Sequence, residues 1–180
     1  MANESLAGIR VLILTVSDGV AGGGRVDESG AALEGRFRAL GAFVDRAVVA
    51  DDAPAIGRAV EAAAADHALV VSTGGTGLTP RDVTPQAVRT VLAYEVPGLG
   101  EAMRAAGRAS TPLADLSRSL GGVVDRCLVL CVPGSPRGAT ESLAAVEPLL
   151  AHALETLAGP HDHGRPAVEP PEPLATERID

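Results

Sequence analysis

Residues Ala68–Pro85 read ALVVSTGGTGLTPRDVTP. The run Ala68–Thr73 is apolar and rich in valine, the pattern of a strand covered on both faces. Gly74, Gly75 and Gly77 end that run, and Thr84-Pro85 opens a helix as a cap followed by proline in the first turn. Strand, glycine loop and helix make up the repeating unit of a parallel sheet. The same order appears on either side. Ile9–Val16 predicts a buried strand, followed by a helix over Asp27–Leu40 that Gly41 stops. Phe43–Val49 predicts a second strand, followed by a helix over Ala53–Ala65 with Pro54 in its first turn. After a helix over Thr84–Tyr94, Leu99–Arg108 reads as helical and Ala114–Leu120 is ambiguous. Cys127–Val132 is another apolar strand. Thr140–Leu157 is the longest helical stretch, and Pro148 is expected to bend it.

The expected fold is therefore α/β: three layers, with a mostly parallel sheet and helices on both faces. Residues 1–158 are expected to form one domain. From Gly159 the chain reads GPHDHGRPAVEPPEPLATERID, rich in proline and acid. Such a segment has too little apolar surface to offset its ordering entropy, so residues 159–180 are expected to be a disordered tail. His161 and His163, without a further partner, are a weak metal signal.

Composition narrows the function. The chain has 15 cationic side chains, every one of them arginine, against 23 carboxylates, for a net charge of -8. Without lysine there is no phosphate-loop lysine of the Walker type and no Schiff-base chemistry. Phe37, Phe43 and Tyr94 are the only aromatics. With no basic stripe and so few stacking side chains, nucleic acid is not an expected partner. Met1–Ile9 does not read as a signal peptide and the apolar runs are only strand-length, so a cytoplasmic protein without a membrane span is expected. Cys127 and Cys131 lie on one side of a strand about 13 Å apart at roughly 3.3 Å per residue, too far for a disulfide with each other. They read as buried small hydrophobes.

Ligands of open parallel sheets collect beyond the carboxyl ends of the strands. Three such ends carry conspicuous loops: Thr15–Gly19, Ser72–Pro85 and Val132–Gly138. In the second, three glycines allow close backbone approach, Thr73 and Thr76 add hydroxyls, and a helix N-terminus follows. This is more than a turn needs, and it suits phosphate. A carboxylate at Asp82 would repel phosphate unless a cation such as Mg²⁺ sat between them, with Asp51 or Asp52 as a further ligand. Alternatively, Asp82 caps the Thr84 helix or pairs with Arg81. Arg104, Arg118 and Arg137 are candidates for gripping an anion. The first strand ends in TVSDG rather than G-x-G-x-x-G, which disfavours a dinucleotide-binding dehydrogenase.

These motifs occur together and in order: TVSD, D-x-S-G at Asp27–Gly30, STGGTGLTPRDVTP, VPGLGEAMR, LSRS and VPGSP. Their succession over residues 8–158 resembles the MogA/MoaB family of molybdenum-cofactor biosynthesis proteins and the related G domains of two-domain proteins. The resemblance implies a molybdopterin-binding α/β domain, usually trimeric, that adenylylates molybdopterin with Mg-ATP and releases pyrophosphate. The product would be handed to a metal-insertion protein. By the same resemblance, Gly74, Gly75, Thr76 and Gly77 form the phosphate-binding loop, with Arg81 beside them. Asp82 and Asp51 are the catalytic and metal-associated acids. Ser17 and Asp18 match the first-strand motif, and Ser117 and Arg118 match the segment beside the pterin-side pocket. Pro133, Gly134, Ser135 and Pro136 border the nucleotide. Ala50 stands where the family usually has proline, which leaves the choice between Asp51 and Asp52 open. Two other readings are a non-catalytic molybdopterin-binding scaffold and a domain of nicotinamide-nucleotide recycling proteins. The chain is short for the latter.

Overall fold

Three strands with apolar side chains on both faces form the centre of the sheet. The structure is a computed structural model describing residues 6–159. β1 (Arg10–Val16), which the short helix α1 (Asp18–Ala21) follows, β3 (Leu69–Thr73) and β6 (Cys127–Val132) are buried along their whole lengths, except at Arg10. Val11, Ile13, Leu69, Val71, Leu128 and Leu130 face one side, where they meet Leu33 and Phe37 of α2 (Glu28–Ala39), Met103 of α5 (Pro97–Gly107) and Leu143 and Leu150 of α6 (Pro136–Ala158). Leu12, Leu14, Val70, Val129 and both cysteines face the other side. There they meet Ile56 and Val60 of α3 (Ala53–Ala64) and Val88 of α4 (Thr84–Arg89). Each fully buried Val, Leu or Phe contributes about 1.5–3 kcal/mol, so covering both faces removes the polar alternation of a one-sided sheet. Burial pushes both cysteine thiols up to about 12, consistent with inert core residues.

The sheet order is β2-β1-β3-β6-β5-β4, with β2 at Phe43–Val49, β4 at Tyr94–Glu95 and β5 at Leu120–Val124. Pairing is parallel from β2 through β6 and antiparallel at β6–β5 and β5–β4. The expected three-layer α/β architecture is present, with an antiparallel edge that was not expected. Gly121 and Gly122 weaken the strand pattern of β5. A Cβ at Gly121 would lie 2.4 Å from Leu99 Cδ1, so glycine there admits α5. The ambiguous stretch resolves into a 3₁₀ segment, Pro112–Leu116, followed by β5.

Two helix boundaries move. α4 ends at Arg89 rather than Tyr94, because the chain turns there to bring Tyr94 against Val123. Thr84 is not a cap: Val83 holds the cap position without a side-chain bond, and Thr84 lies buried in the first turn. α6 begins at Pro136, four residues before the expected start, because Ser135 caps it by accepting from the Gly138 amide at 3.1 Å. The helix continues through Pro148. From residue 160 onward, the expected tail, with His161 and His163, lies outside the described residues. Among the described residues no helix is long and apolar enough to cross a membrane.

β1 leads by way of α2 to β2 on one flank, whereas the chain after β3 continues toward the opposite flank. The connections that leave the carboxyl ends of these paired strands therefore run to opposite sides and leave a crevice, the general location for ligands in such sheets.

Candidate functional site

A cavity of about 420 Å³ opens at that crevice. Its wall includes Ser17 from the end of β1, Asp51 from the end of β2, Gly74, Gly75 and Asp82 after β3, and Gly134, Ser135 and Pro136 after β6. The three strand-end loops singled out in the sequence thus meet around one space. Thr73 Oγ1 donates to the Pro133 carbonyl at 2.8 Å and ties two of the loops together.

Glycine is required at the bottom of the cavity. Gly74 has φ 105° and Gly75 φ 64°. A Cβ at Gly74 would lie 2.2 Å from the Val16 carbonyl oxygen, and one at Gly75 would lie 2.2 Å from Thr84 Oγ1. That Thr84 hydroxyl is buried without a hydrogen-bond partner. The N-terminus of α6, 23 residues long, also faces the space through Ser135 and Pro136. Pro136 has no amide hydrogen and the Gly138 and Ala139 amides are taken by Ser135, so the Arg137 amide and the helix dipole are what favour an anion there.

The acids divide by role. Asp52 caps α3, accepting from the Ala55 amide at 2.8 Å. Asp51 lines the cavity and exchanges bonds with Asp18: the Asp18 amide donates to Asp51 Oδ2 at 2.9 Å, and the Asp51 amide donates to Asp18 Oδ1 at 3.0 Å. Asp82 Oδ2 accepts from the Thr79 amide at 2.8 Å and from Thr79 Oγ1 at 2.6 Å. Partial burial alone would raise the Asp82 pKa. The Thr79 hydroxyl, the Thr79 and Gly77 amides and the charge of Arg118 outweigh it and hold the carboxyl below its usual range. Arg81 does not pair with Asp82. It pairs with Asp18, Nε to Oδ2 at 3.1 Å, and its guanidinium, then the Asp51 amide, holds the Asp18 carboxyl below its usual range.

Other expected residues sit at a remove. Thr76 and Gly77 are outside the cavity wall; the Thr76 side chain is buried. Ser117 lines a second cavity of about 180 Å³, which shares Ser135 with the first, and its hydroxyl lies 2.8 Å from that of Ser119. Arg118 lines neither of these two cavities but lies with Ser117 and Arg104 on a third, of about 330 Å³, and bonds to the Gly77 and Asp82 carbonyls. Arg104 donates to the Ser119 carbonyl at 2.7 Å, and Arg137 to Glu141 at 2.8 Å, so both are engaged within the chain.

Not expected from sequence are Arg25, Asp27, Glu28 and Ser29, which form the cavity wall at the start of α2. The D-x-S-G pattern at Asp27–Gly30 was a signal for Asp27, Glu28 and Ser29, though not for Arg25. Asp27 caps α2 through the Gly30 amide at 2.9 Å, accepts from Thr15 Oγ1 at 2.7 Å and pairs with Arg46.

The model of the "Probable molybdopterin binding domain" family matches residues 12–152. The chain belongs to that family. Among curated relatives, it is 43% identical over 162 residues to a molybdenum cofactor biosynthesis bifunctional protein of Synechococcus elongatus, covering 89% of this chain and 50% of that protein. It is 40% identical over 91 residues to the molybdopterin adenylyltransferase of Helicobacter pylori strain J99, covering 51% of this chain and 52% of that enzyme. The chain thus spans about half the length of these curated relatives. Among solved structures, the molybdopterin biosynthesis enzyme MoaB of Thermus thermophilus superposes with a TM-score of 0.75 at 44% identity, covering 84% of this chain and 97% of that one. The tungsten cofactor synthesizing protein MoaB of Pyrococcus furiosus superposes at 0.77 with 29% identity, covering 84% and 98%. In this family member, residues that follow β1, β2, β3 and β6 meet at the 420 Å³ cavity.

The donor set of that cavity fits a magnesium ion that arrives with phosphate. Asp51 and Asp82 both line it and offer hard oxygen ligands. Among the described residues, no three His, Cys, Asp or Glu side chains cluster closely enough to hold a metal by themselves. Mg²⁺ is commonly held by one or two carboxylates plus phosphate oxygens and water.

Proposed function

We propose that this chain acts in molybdenum cofactor biosynthesis as a molybdopterin adenylyltransferase, converting molybdopterin and Mg-ATP into adenylyl-molybdopterin and pyrophosphate. The observation that carries this reading is the meeting, in one cavity, of the Gly74-Gly75 turn, the N-terminus of α6 and the carboxylates Asp51 and Asp82. An acidic wall beside an anion cradle suits a polyphosphate accompanied by a cation, and the name of the Helicobacter relative supplies the pterin.

The reaction needs no side-chain nucleophile. A terminal phosphate oxygen of molybdopterin attacks the α-phosphorus of ATP, the new P–O bond forms, and the bond to the leaving pyrophosphate breaks. The Gly75 region and the Gly134–Ser135 turn hold the phosphates close to the backbone. The α6 N-terminus offsets charge that grows on the phosphorus oxygens. Ser17 lines the cavity, and behind it the paired amides and carboxylates of Asp18 and Asp51 hold Asp51 in place. When bound to Asp82 and Asp51, Mg²⁺ would neutralise triphosphate charge as a Lewis acid.

The protein is proposed to work as a cytoplasmic homotrimer that hands its product to a metal-insertion protein; sedimentation of the purified chain tests the trimer. The chemical test is incubation with molybdopterin, ATP and Mg²⁺. Adenylylated pterin and pyrophosphate are expected. Molybdopterin binding without product would support the non-catalytic scaffold instead.

A further inference from the structure

Arg118 follows the 3₁₀ segment, outside the 420 Å³ cavity and on the wall of a separate one of about 330 Å³ that Asp51 and Asp82 do not line. It nevertheless bonds three times to the loop that carries Asp82. Its backbone amide donates to the Thr76 carbonyl at 3.0 Å, Nε donates to the Gly77 carbonyl at 2.8 Å, and a terminal nitrogen donates to the Asp82 carbonyl. One planar guanidinium thus bridges the two ends of the segment 77–82. Inside that segment, the Asp82 amide donates to the Thr79 carbonyl at 3.0 Å and Thr79 donates back to the Asp82 carboxylate.

The arm that holds Arg118 is itself anchored. Arg104 of α5 donates to the Ser119 carbonyl at 2.7 Å, and the Ser117 and Ser119 hydroxyls lie 2.8 Å apart. The turn that leads into the loop, Gly74 and Gly75, has positive φ and little intrinsic preference for one conformation. A charge-assisted pair of bonds from one rigid fork is a strong way to select a single arrangement of such a segment.

We infer that Arg118 is a positioning residue: it clamps the 77–82 loop through the Gly77 and Asp82 carbonyls and so aims the Asp82 carboxylate at the cavity, without touching substrate. This rests on the functional reading above for its kinetic consequence, but not for its structural one.

The test uses Arg118→Ala and Arg118→Lys in the full chain, with two readouts. The first is hydrogen exchange. The Thr79 and Asp82 amides should exchange about tenfold faster or more in Arg118→Ala, while amides of β1 and β3 keep their protection. The second is adenylylation of molybdopterin with ATP and Mg²⁺. In Arg118→Ala, kcat should fall on the order of 100-fold, with the KM for molybdopterin within about threefold of wild type, the result of misplacing a catalytic group rather than losing a contact. Added guanidinium ion should restore part of kcat. Arg118→Lys should restore little, because an ammonium point charge does not reproduce the planar fork. Unchanged loop exchange would overturn the clamp. So would a KM for molybdopterin raised about tenfold at unchanged kcat, which would place Arg118 on the substrate. If the wild-type chain forms no adenylylated product, the functional reading fails, and the exchange experiment alone decides the role of Arg118.

Discussion

Neighbouring parallel strands β3 and β6 both end at the cavity and both lead into helices, but they do so in different ways. After β6, the turn Pro133–Ser135 is short, and a serine cap starts a helix of 23 residues. After β3, the chain runs from Gly74 to Val83 before a helix of six residues without a side-chain cap. The first turn is stabilised by local rules, a cap and a proline in the first turn. Besides the Thr79–Asp82 bonds inside the loop, the second is held by contacts from elsewhere: Thr73 on Pro133, and Arg118 on Gly77 and Asp82. A loop that local propensity leaves unfinished can carry a carboxylate into the cavity, provided the rest of the fold holds it there.

The sharpest way to break that contrast is Asp82→Ala. It should keep the fold and lower adenylylation by about 100-fold or more, the scale of losing a preorganised electrostatic group. Full turnover would remove Asp82 from the chemistry. Next in size is Gly74→Ala, which forces a side chain into positive φ against the Val16 carbonyl. A stability loss on the order of 3 kcal/mol is expected from strain and collision with backbone, read by urea unfolding. The adjacent acids separate the two kinds of role directly. Asp51→Ala should impair turnover with little loss of stability. Asp52→Ala should leave turnover intact and cost about 1 kcal/mol as a lost helix cap. The reverse pattern would exchange their assignments. On the β6 side, Ser135→Ala should cost about 1 kcal/mol with a smaller effect on turnover than Asp82→Ala, since the amides at the helix start remain.

The smallest effect concerns pH. Partial burial would raise the Asp27 pKa, but bonds from Thr15, Gly30 and Arg46 overcome it, so the folded pKa lies below the unfolded value near 3.9. The stability this group contributes is therefore complete above about pH 4 and is lost as pH falls through the folded pKa. The difference in Tm between wild type and Asp27→Asn should shrink as pH is lowered below about 4, and a difference that grows there would contradict the assignment.

Much of the cavity was legible because glycine, proline and carboxylate patterns report what local backbone and ligand chemistry require. Gly74, Gly75, Asp82 and the Pro133–Pro136 turn carry such signals. Arg118 did not, since an arginine in sequence looks the same whether it grips phosphate or a carbonyl. The choice between Asp51 and Asp52 was open for a similar reason, as an aspartate suits a cap or a ligand equally.

The sequence by itself determined the layering. Apolar runs at Val11–Val16, Leu69–Val71 and Cys127–Val132 require a sheet covered on both faces, because burying that much apolar surface admits few other arrangements. Only the tertiary structure decided the strand order, the antiparallel edge at β5 and β4, and the division of labour among the polar side chains. Those depend on bonds between residues far apart in sequence, such as Arg118 with Gly77 and Asp18 with Asp51, whose partners no local pattern specifies.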